Sequence, residues 1–447
     1  MAATPGIPEQ MNTKKHLQNV VSNPVWALVA AFGTYFCMYG FRKPYTAATW
    51  SNAAFFGVDY KFLLVISQTL GYVIAKWLGI KFVSEILPRK RIKALLALIF
   101  FAEGMLLLFG VVPRPWNILC LLLNGLPLGV VFGLVLAFLE GRRHTEALVA
   151  GLCASFIVSD GVSKSVGTFL LDKGVTENWM PFFAGLFFLV PILLFIAMLS
   201  FVPRPSKTDI ESRTERLPMK AGDRKSFFRK YAPGLGGIIV IYLFVTLLRS
   251  VRADFAPELW KGLGYPQTPA LFTKSELLVS FGVTIVNGLA MFILSHFKAF
   301  RFSLLTCLAG FACLPLAVWG LQAGLGKFPF MVLVGLGVYI PYVAVHTTLF
   351  ERLICITKER ANIGFLMYLA DSVGYTGYIL LMLLRNAIPT GNTILVIFLK
   401  SCVFMGIAGG AIVIFCNWYF RLKLRVNDTN GGFRYGRHNS KREHAGV

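Results

Sequence analysis

Charge is scarce in this sequence, and negative charge most of all: 21 Asp and Glu stand against 44 Lys and Arg, and the two signs together fill only 15% of 447 positions. A soluble domain carries about 25% charged residues, so an ordinary globular surface is excluded. There are six histidines, and no grouping of His, Cys, Asp and Glu has metal-ligand spacing. No metal and no cofactor is expected. CxxC pairs are absent, and the eight cysteines (37, 120, 153, 307, 313, 355, 402, 416) are not paired across polar segments, so free thiols are expected rather than disulfides. The GxxxxGK[ST] loop that cradles nucleotide phosphates is missing too, which argues against direct nucleotide hydrolysis as a drive.

What the chain has in abundance is apolar surface, with 56% hydrophobic and 14% aromatic residues and a mean hydropathy of +0.66. About 20 apolar residues cross a ~30 Å hydrocarbon core. Twelve segments qualify: 24–42, 60–84, 91–111, 116–140, 146–171, 180–202, 233–256, 274–297, 301–321, 328–351, 362–385 and 394–420. The expected class is an all-α, multi-pass membrane protein. The first segment is too long and too closely followed by others for a cleaved signal peptide.

The net charge of +23 would suggest nucleic acid in a soluble protein, so the position of the cations decides. With the N-terminus inside, 29 basic residues fall in inward loops and tails and eight in outward loops (Lys43, Lys61, Arg114, Lys173, Lys261, Lys274, Lys327, Arg385). This asymmetry puts both termini in the cytoplasm, of a cell or inner membrane, by the positive-inside rule, and needs no nucleic acid. The lipid bilayer is the expected partner, and the chain is expected to be a monomer.

The polar stretch "PRPSKTDIESRTERLPMKAGDRKSFFRK" separates six spans from six. It divides the chain into a tail 1–23, a six-helix bundle 24–202, a linker 203–232, a second bundle 233–420 and a basic tail 421–447. The halves echo each other. Glu140 precedes Asp160 by 20 residues, as Glu351 precedes Asp371; "SDGV" at 159–162 answers "ADSV" at 370–373. Tyr35, Tyr39 and Arg42 correspond to Tyr242, Thr246 and Arg249, and each trio has the i, i+4, i+7 spacing of one helical face. Together these matches argue for duplication of a six-span unit, an arrangement that lets two bundles rock about a central site.

Span number, linker and repeat resemble the major facilitator superfamily over nearly the whole chain. Within it the motifs resemble the organophosphate:phosphate antiporters, as a divergent branch. "YGFRKPY" is similar to the Arg-Lys element of their first helix, with Arg42 at the substrate arginine. "LLRSVRADFAP" matches the seventh-helix pattern through Leu247, Leu248, Arg249, Asp254 and Pro257. "YVIAKWLGIKFVSEILPRKR" resembles the second helix and its loop motif through Ala75, Lys76, Ser84, Glu85, Pro88 and Arg89. Where those antiporters carry a histidine in helix five, this chain has Ser159 beside Asp160. The resemblance implies a fold of two pseudo-symmetric six-helix bundles and transport of a small organic anion, organophosphates included.

An ionised side chain at the bilayer centre costs ~2.5–3.5 kcal/mol, so the seven basic residues left inside spans ask for a reason. Arg42 and Arg249 are expected to face a cavity and clamp one anion between them, provided that the first helix bends at Pro44 and continues. A guanidinium donates two parallel hydrogen bonds to a phosphate or carboxylate and never loses its charge. The competing readings are snorkelling for Arg42 and an ion pair with Asp254 for Arg249. Lys76, Tyr35, Tyr39, Tyr72 and Tyr242 are candidates for substrate contact, with Gln68 and Asn287 as further lining. Lys43 is expected at the interface, and Lys81 and Lys400 are expected to snorkel.

Asp160 and Lys164 stand at i, i+4, either as an internal ion pair or as a coupling carboxylate. Asp371 has only Tyr375 at the corresponding place, which makes it the better candidate to titrate, with His346 the second. Glu85, Arg89, Glu140, Arg142 and Arg143, with Glu351 and Arg352, are expected at the cytoplasmic ends as a gate of exchanging ion pairs. No catalytic residue is expected, because the outward loops are short and poor in His, Asp and Glu. The function implied is secondary transport of a small organic anion by alternating access. Its rivals are a proton-coupled symporter of a non-phosphorylated solute and a transporter-like receptor that does not translocate.

Overall fold

The computed structural model describes residues 23–50, 54–55, 57–139, 145–203, 221–265, 268–357, 363–387 and 393–431. Twelve of its helices are long and apolar enough to cross a membrane. They are α1 (Pro24–Met38), α2 (Tyr60–Glu85), α3 (Arg91–Val111), α4 (Ile118–Leu139), α5 (Thr145–Asp172), α6 (Met180–Ser200), α7 (Ala221–Asp254), α8 (Pro269–Leu289), α9 (His296–Gln322), α10 (Lys327–Thr357), α11 (Ile363–Ala387) and α12 (Ile394–Gly431). The chain is an integral multi-pass membrane protein. Large side chains such as Phe187, Phe281, Leu294 and Trp319 are exposed on the outside of the bundle, where lipid rather than water accommodates them.

The helix contacts obey a twofold rule. Within the first half α1 packs on α4, α5 and α6, α2 on α4, and α3 on α4 and α6; adding six to every number gives the contacts of the second half. The two largest contacts that join the halves, α5 with α8 and α2 with α11, exchange under the same operation. Two pseudo-symmetric six-helix bundles therefore meet on an axis that passes between α2, α5, α8 and α11.

Local chemistry explains several boundaries. Asn23 caps α1, its Oδ1 accepting from the Val25 amide, and Pro24 follows at the first helical position. α7 begins at Ala221, well inside the stretch expected as linker, and bends at the non-helical Tyr231 two residues before Pro233. Apolar content marks only the part of a helix that lipid covers, so its polar first turns were invisible to it. α12 likewise continues past 420 to Gly431.

The α2–α4 contact depends on glycine. A Cβ on Gly71 would lie 2.1 Å from the Leu122 carbonyl oxygen, and one on Gly125 would lie 2.3 Å from that of Gln68. Both obstacles are backbone, so the helices themselves would have to part. Gly71→Ala is accordingly expected to cost at least ~1–3 kcal/mol of overpacking. A lower melting temperature and a smaller monodisperse fraction on size exclusion would report it; an unchanged melting curve would mean that α2 and α4 are not held this close.

Candidate functional site

Both helices that carry the candidate arginines are broken at their ends. α1 gives way at Tyr39 to a 3-10 turn, Tyr39–Phe41, and a second one, Pro44–Ala47, follows after Arg42 and Lys43. Lys43 itself stays in the right-handed helical region, and Pro44, which has no N–H to donate, opens the second turn at its first position. α7 stops at Asp254, Phe255 leaves helical geometry, and the short helix Ala256–Gly262 follows with Pro257 in its first turn. Arg42 thus sits in a break and Arg249 one turn before one.

Between the halves these two side chains and two tyrosines form a line. The Arg42 guanidinium lies 3.9 Å from the centre of the Tyr72 ring, which packs edge-on against Tyr375 at 5.1 Å. Arg249 donates from Nη2 to the Tyr375 hydroxyl at 2.9 Å and lies 4.6 Å from the centre of the Tyr342 ring. Arg42 and Arg249 are 5% and 6% exposed, and no carboxylate lies within ion-pair reach of either among the described residues. Both Nε atoms lack a hydrogen-bond partner. Aromatic faces offset a buried cation by ~0.5–2 kcal/mol each, far less than a full desolvation penalty. Arg42 does not snorkel, and Arg249 is not paired with Asp254.

A second polar group lies beside this line. Asp371 of α11 accepts from the Tyr242 hydroxyl, pairs through Oδ2 with Lys76 Nζ of α2 at 2.9 Å, and has Oδ1 3.5 Å from His346 Nε2. The expectation that Asp371 lacks a lysine holds only for its own helix, because Lys76 comes from the other half. Lys76 is itself boxed by the rings of Tyr72, Phe132 and Tyr368. Asp160 and Lys164 form a buried ion pair within α5.

At the end of the bundle where α1 and α7 finish, the halves are fastened together. Lys43, expected at the interface, is buried and pairs with Asp254, whose other oxygen accepts from Tyr378. Lys61, expected in an outward loop, is 1% exposed; it pairs with Glu258 and donates to the Thr46 carbonyl. The Phe62 and Phe255 rings close the same seam at 4.6 Å. Burial pushes the Glu258 carboxyl up, and the Lys61 ammonium draws it back down. Arg252 is paired with Glu276 of α8 at 2.6 Å, inside the second half.

Other expected site residues fall elsewhere. Tyr35 packs on Tyr39 and Phe132. Gln68 donates to the Arg42 carbonyl and to Asn124, so it holds the broken end of α1 in place rather than lining a cavity. Asn287 donates to the Val283 and Ile340 carbonyls and joins α8 to α10. Of the expected gate, Arg89 is exposed, Glu351 is half-buried, and Arg352 is buried against His296 Nδ1 at 2.8 Å. Glu140, Arg142 and Arg143 lie outside the described residues, as do the side chains of Glu85 and Lys81. Lys400 is exposed.

Glu258, Tyr342 and Tyr378 went unnoticed in the sequence, and so did one isolated acid. Glu103 of α3 is 6% exposed, neither carboxyl oxygen has a partner, and Gly185 of α6 leaves room for it, since a Cβ there would lie 2.0 Å from Oε2. A lone acid within the apolar run Arg91–Val111 was the available signal.

Among solved structures, the crystal structure of a D-xylose-proton symporter resembles this one, with a TM-score of 0.56 and 14% identity over 90% of this chain and 97% of that one. At that identity the likeness concerns the fold alone, and the twelve spans in two six-helix halves are the major facilitator fold. No curated protein matches the chain. A family model described as a family of unknown function, DUF5690, matches residues 44–423, a stretch that holds Lys76, Arg249, His346 and Asp371 and begins two residues after Arg42. That stretch takes in eleven of the twelve spans, and the chain belongs to this family.

Proposed function

We propose that this protein is a secondary transporter that carries a small organic anion by alternating access, held between Arg42 and Arg249. The observation behind this reading is the burial of two guanidiniums, one from each half, without any acid to neutralise them. A chain that keeps such charges in an apolar bundle forgoes stability when empty and recovers it when an anion arrives. Two permanent cations favour a species with two negative charges, and the planar forks suit the oxygens of a phosphate monoester or a dicarboxylate. The motif resemblance to organophosphate antiporters supports the first of these. The neighbour of known structure is titled as a carrier, which supports carriage over binding alone.

Alternating access follows from the seams. The pairs Lys43–Asp254 and Lys61–Glu258 close the outer side, while Lys76–Asp371 joins the halves on the cytoplasmic side of the arginine pair. An anion drawing Arg42 and Arg249 together changes the balance between the two seams, because each arginine stands one or a few residues from a seam member.

Purified protein should melt at higher temperature with phosphate monoesters than with equal concentrations of neutral sugars or amines. Reconstituted vesicles loaded with the stabilising compound should then accumulate it in labelled form by counterflow. Stabilisation without counterflow would leave a receptor, and no stabilisation by any anion would remove the reading altogether.

A further inference from the structure

His346 occupies a π turn, Val345–Leu349, four residues after Pro341 begins to disturb α10. Such turns re-aim a side chain out of the ordinary helical row. Its Nδ1 lies 3.2 Å from the Tyr342 carbonyl oxygen one turn earlier. A carbonyl only accepts, so Nδ1 carries the ring hydrogen and Nε2 of the neutral ring is a bare acceptor. That acceptor faces two oxygens at 3.5 Å, the Tyr242 hydroxyl and Asp371 Oδ1. Tyr242 has one proton and gives it to Asp371 in the shorter bond. The Nε2 lone pair is therefore left looking at a carboxylate oxygen with no hydrogen between them.

We infer that His346 and Asp371 form a proton-binding site, and that a proton taken up there loosens the Lys76–Asp371 bridge between the two halves. One proton on Nε2 turns an acceptor–acceptor contact into an N–H donor facing the carboxylate. The proton comes from solvent hydronium, whose O–H bond breaks as N–H forms and which leaves as water; no other covalent bond changes. The single negative charge of Asp371 is then shared by two cations, the imidazolium on Oδ1 and the Lys76 ammonium on Oδ2. Lys76 is 3% exposed, and its other close neighbours are aromatic rings.

The charged and titratable groups around His346 make its proton depend on what else is bound, because cations nearby oppose a further positive charge. The Tyr342 ring of its own helix lies 4.7 Å from it, centre to centre, and the Arg249 guanidinium of α7 lies 4.6 Å from the centre of the Tyr342 ring. From α11 comes Asp371, and α5, which carries Cys153, also packs on this turn. α9, also packed on this turn, sends His296 to Arg352 instead. A loaded site therefore adds a positive charge beside two cations that already lack a counter-ion. An anion in the chamber would favour the proton, and the proton would favour the anion by the same factor. That coupling rests on the anion reading above; the latch does not.

The latch is tested without ligand. Spin labels at Leu87→Cys, after α2, and Leu422→Cys, in α12, are placed in an otherwise cysteine-free chain, and their separation is measured by pulsed electron resonance at pH ~5.5 and ~8. Both positions are exposed. The expected result is a distance distribution that shifts between the two pH values, a His346→Gln variant fixed in the high-pH distribution, and Asp371→Asn fixed in the low-pH one. A separation that does not depend on pH, or a shift that survives in His346→Gln, overturns the proposal; Asp371→Asn decides alone if the glutamine variant fails to fold. Inorganic phosphate added in a second arm separates the two readings: a pH shift with no response to phosphate, in a protein that no anion stabilises, sinks the anion reading and leaves the proton site standing.

Discussion

Arg42→Gln and Arg249→Gln should each make the empty protein more stable and the anion-bound protein less so. In the ligand-free chain each substitution removes a buried charge that has no acid partner, whose cost of several kcal/mol is only partly offset by tyrosine faces. A gain on the order of 1–3 kcal/mol would raise the melting temperature by a few degrees. Binding should move the other way. Hydrogen bonds to charged groups contribute ~1.5–3 kcal/mol each, so losing a fork weakens anion binding by roughly 100-fold or more. Arg42→Lys and Arg249→Lys keep the charge but lose the fork, and are expected to abolish uptake while leaving the folded yield intact. The opposite signs matter, because a merely structural arginine would give a lower melting temperature and an unchanged ligand response. That outcome would end the clamp.

The spans were legible because lipid writes a simple code. A run of about twenty apolar residues is a local property of the chain, and a sliding window can read it. The duplication was legible for a related reason: Glu140–Asp160 and Glu351–Asp371 keep their spacing within each half. What stayed hidden is pairing between halves. Lys43 lies 211 residues from Asp254 and Lys61 lies 197 from Glu258, and nothing near a lysine in the sequence says which acid it will meet. Lys43 therefore looked like an ordinary interfacial cation. Asp371 looked unpartnered because the search for a partner went along its own helix, whereas Lys76 arrives from α2. Gln68 and Asn287 looked like lining, since a polar residue in a span can serve a backbone carbonyl as readily as a solute. The burial of Arg42 and Arg249 could be expected for the converse reason, because no acid partner had to be guessed for them.

Lys43 and Asp254 supply the second large effect. Both are buried, they pair with each other across the seam, and Tyr378 donates to the second Asp254 oxygen. Breaking a buried pair by removing one member typically costs ~3–5 kcal/mol, because the survivor keeps its charge without a partner. Lys43→Met and Asp254→Asn should therefore each lower the melting temperature sharply. Asparagine is the informative replacement for the acid, since it still accepts from Tyr378 and isolates the loss of charge. The double variant should recover most of the loss, with a coupling of at least ~2 kcal/mol in the cycle, within the range for residues in direct contact. Access should change as well. A thiol introduced at Phe62→Cys, against Phe255 in the closed seam, should resist a charged maleimide from the outer side while the pair is intact. In the Lys43→Met/Asp254→Asn background it should label at least several times faster, because the ring contact has gone with Phe62 and Lys61–Glu258 is the ion pair left across that seam. Additive single effects, with no recovery in the double, would mean that the two residues act separately. Equal labelling in both backgrounds would mean that the seam does not depend on their charge, and alternating access would then need a different outer lock.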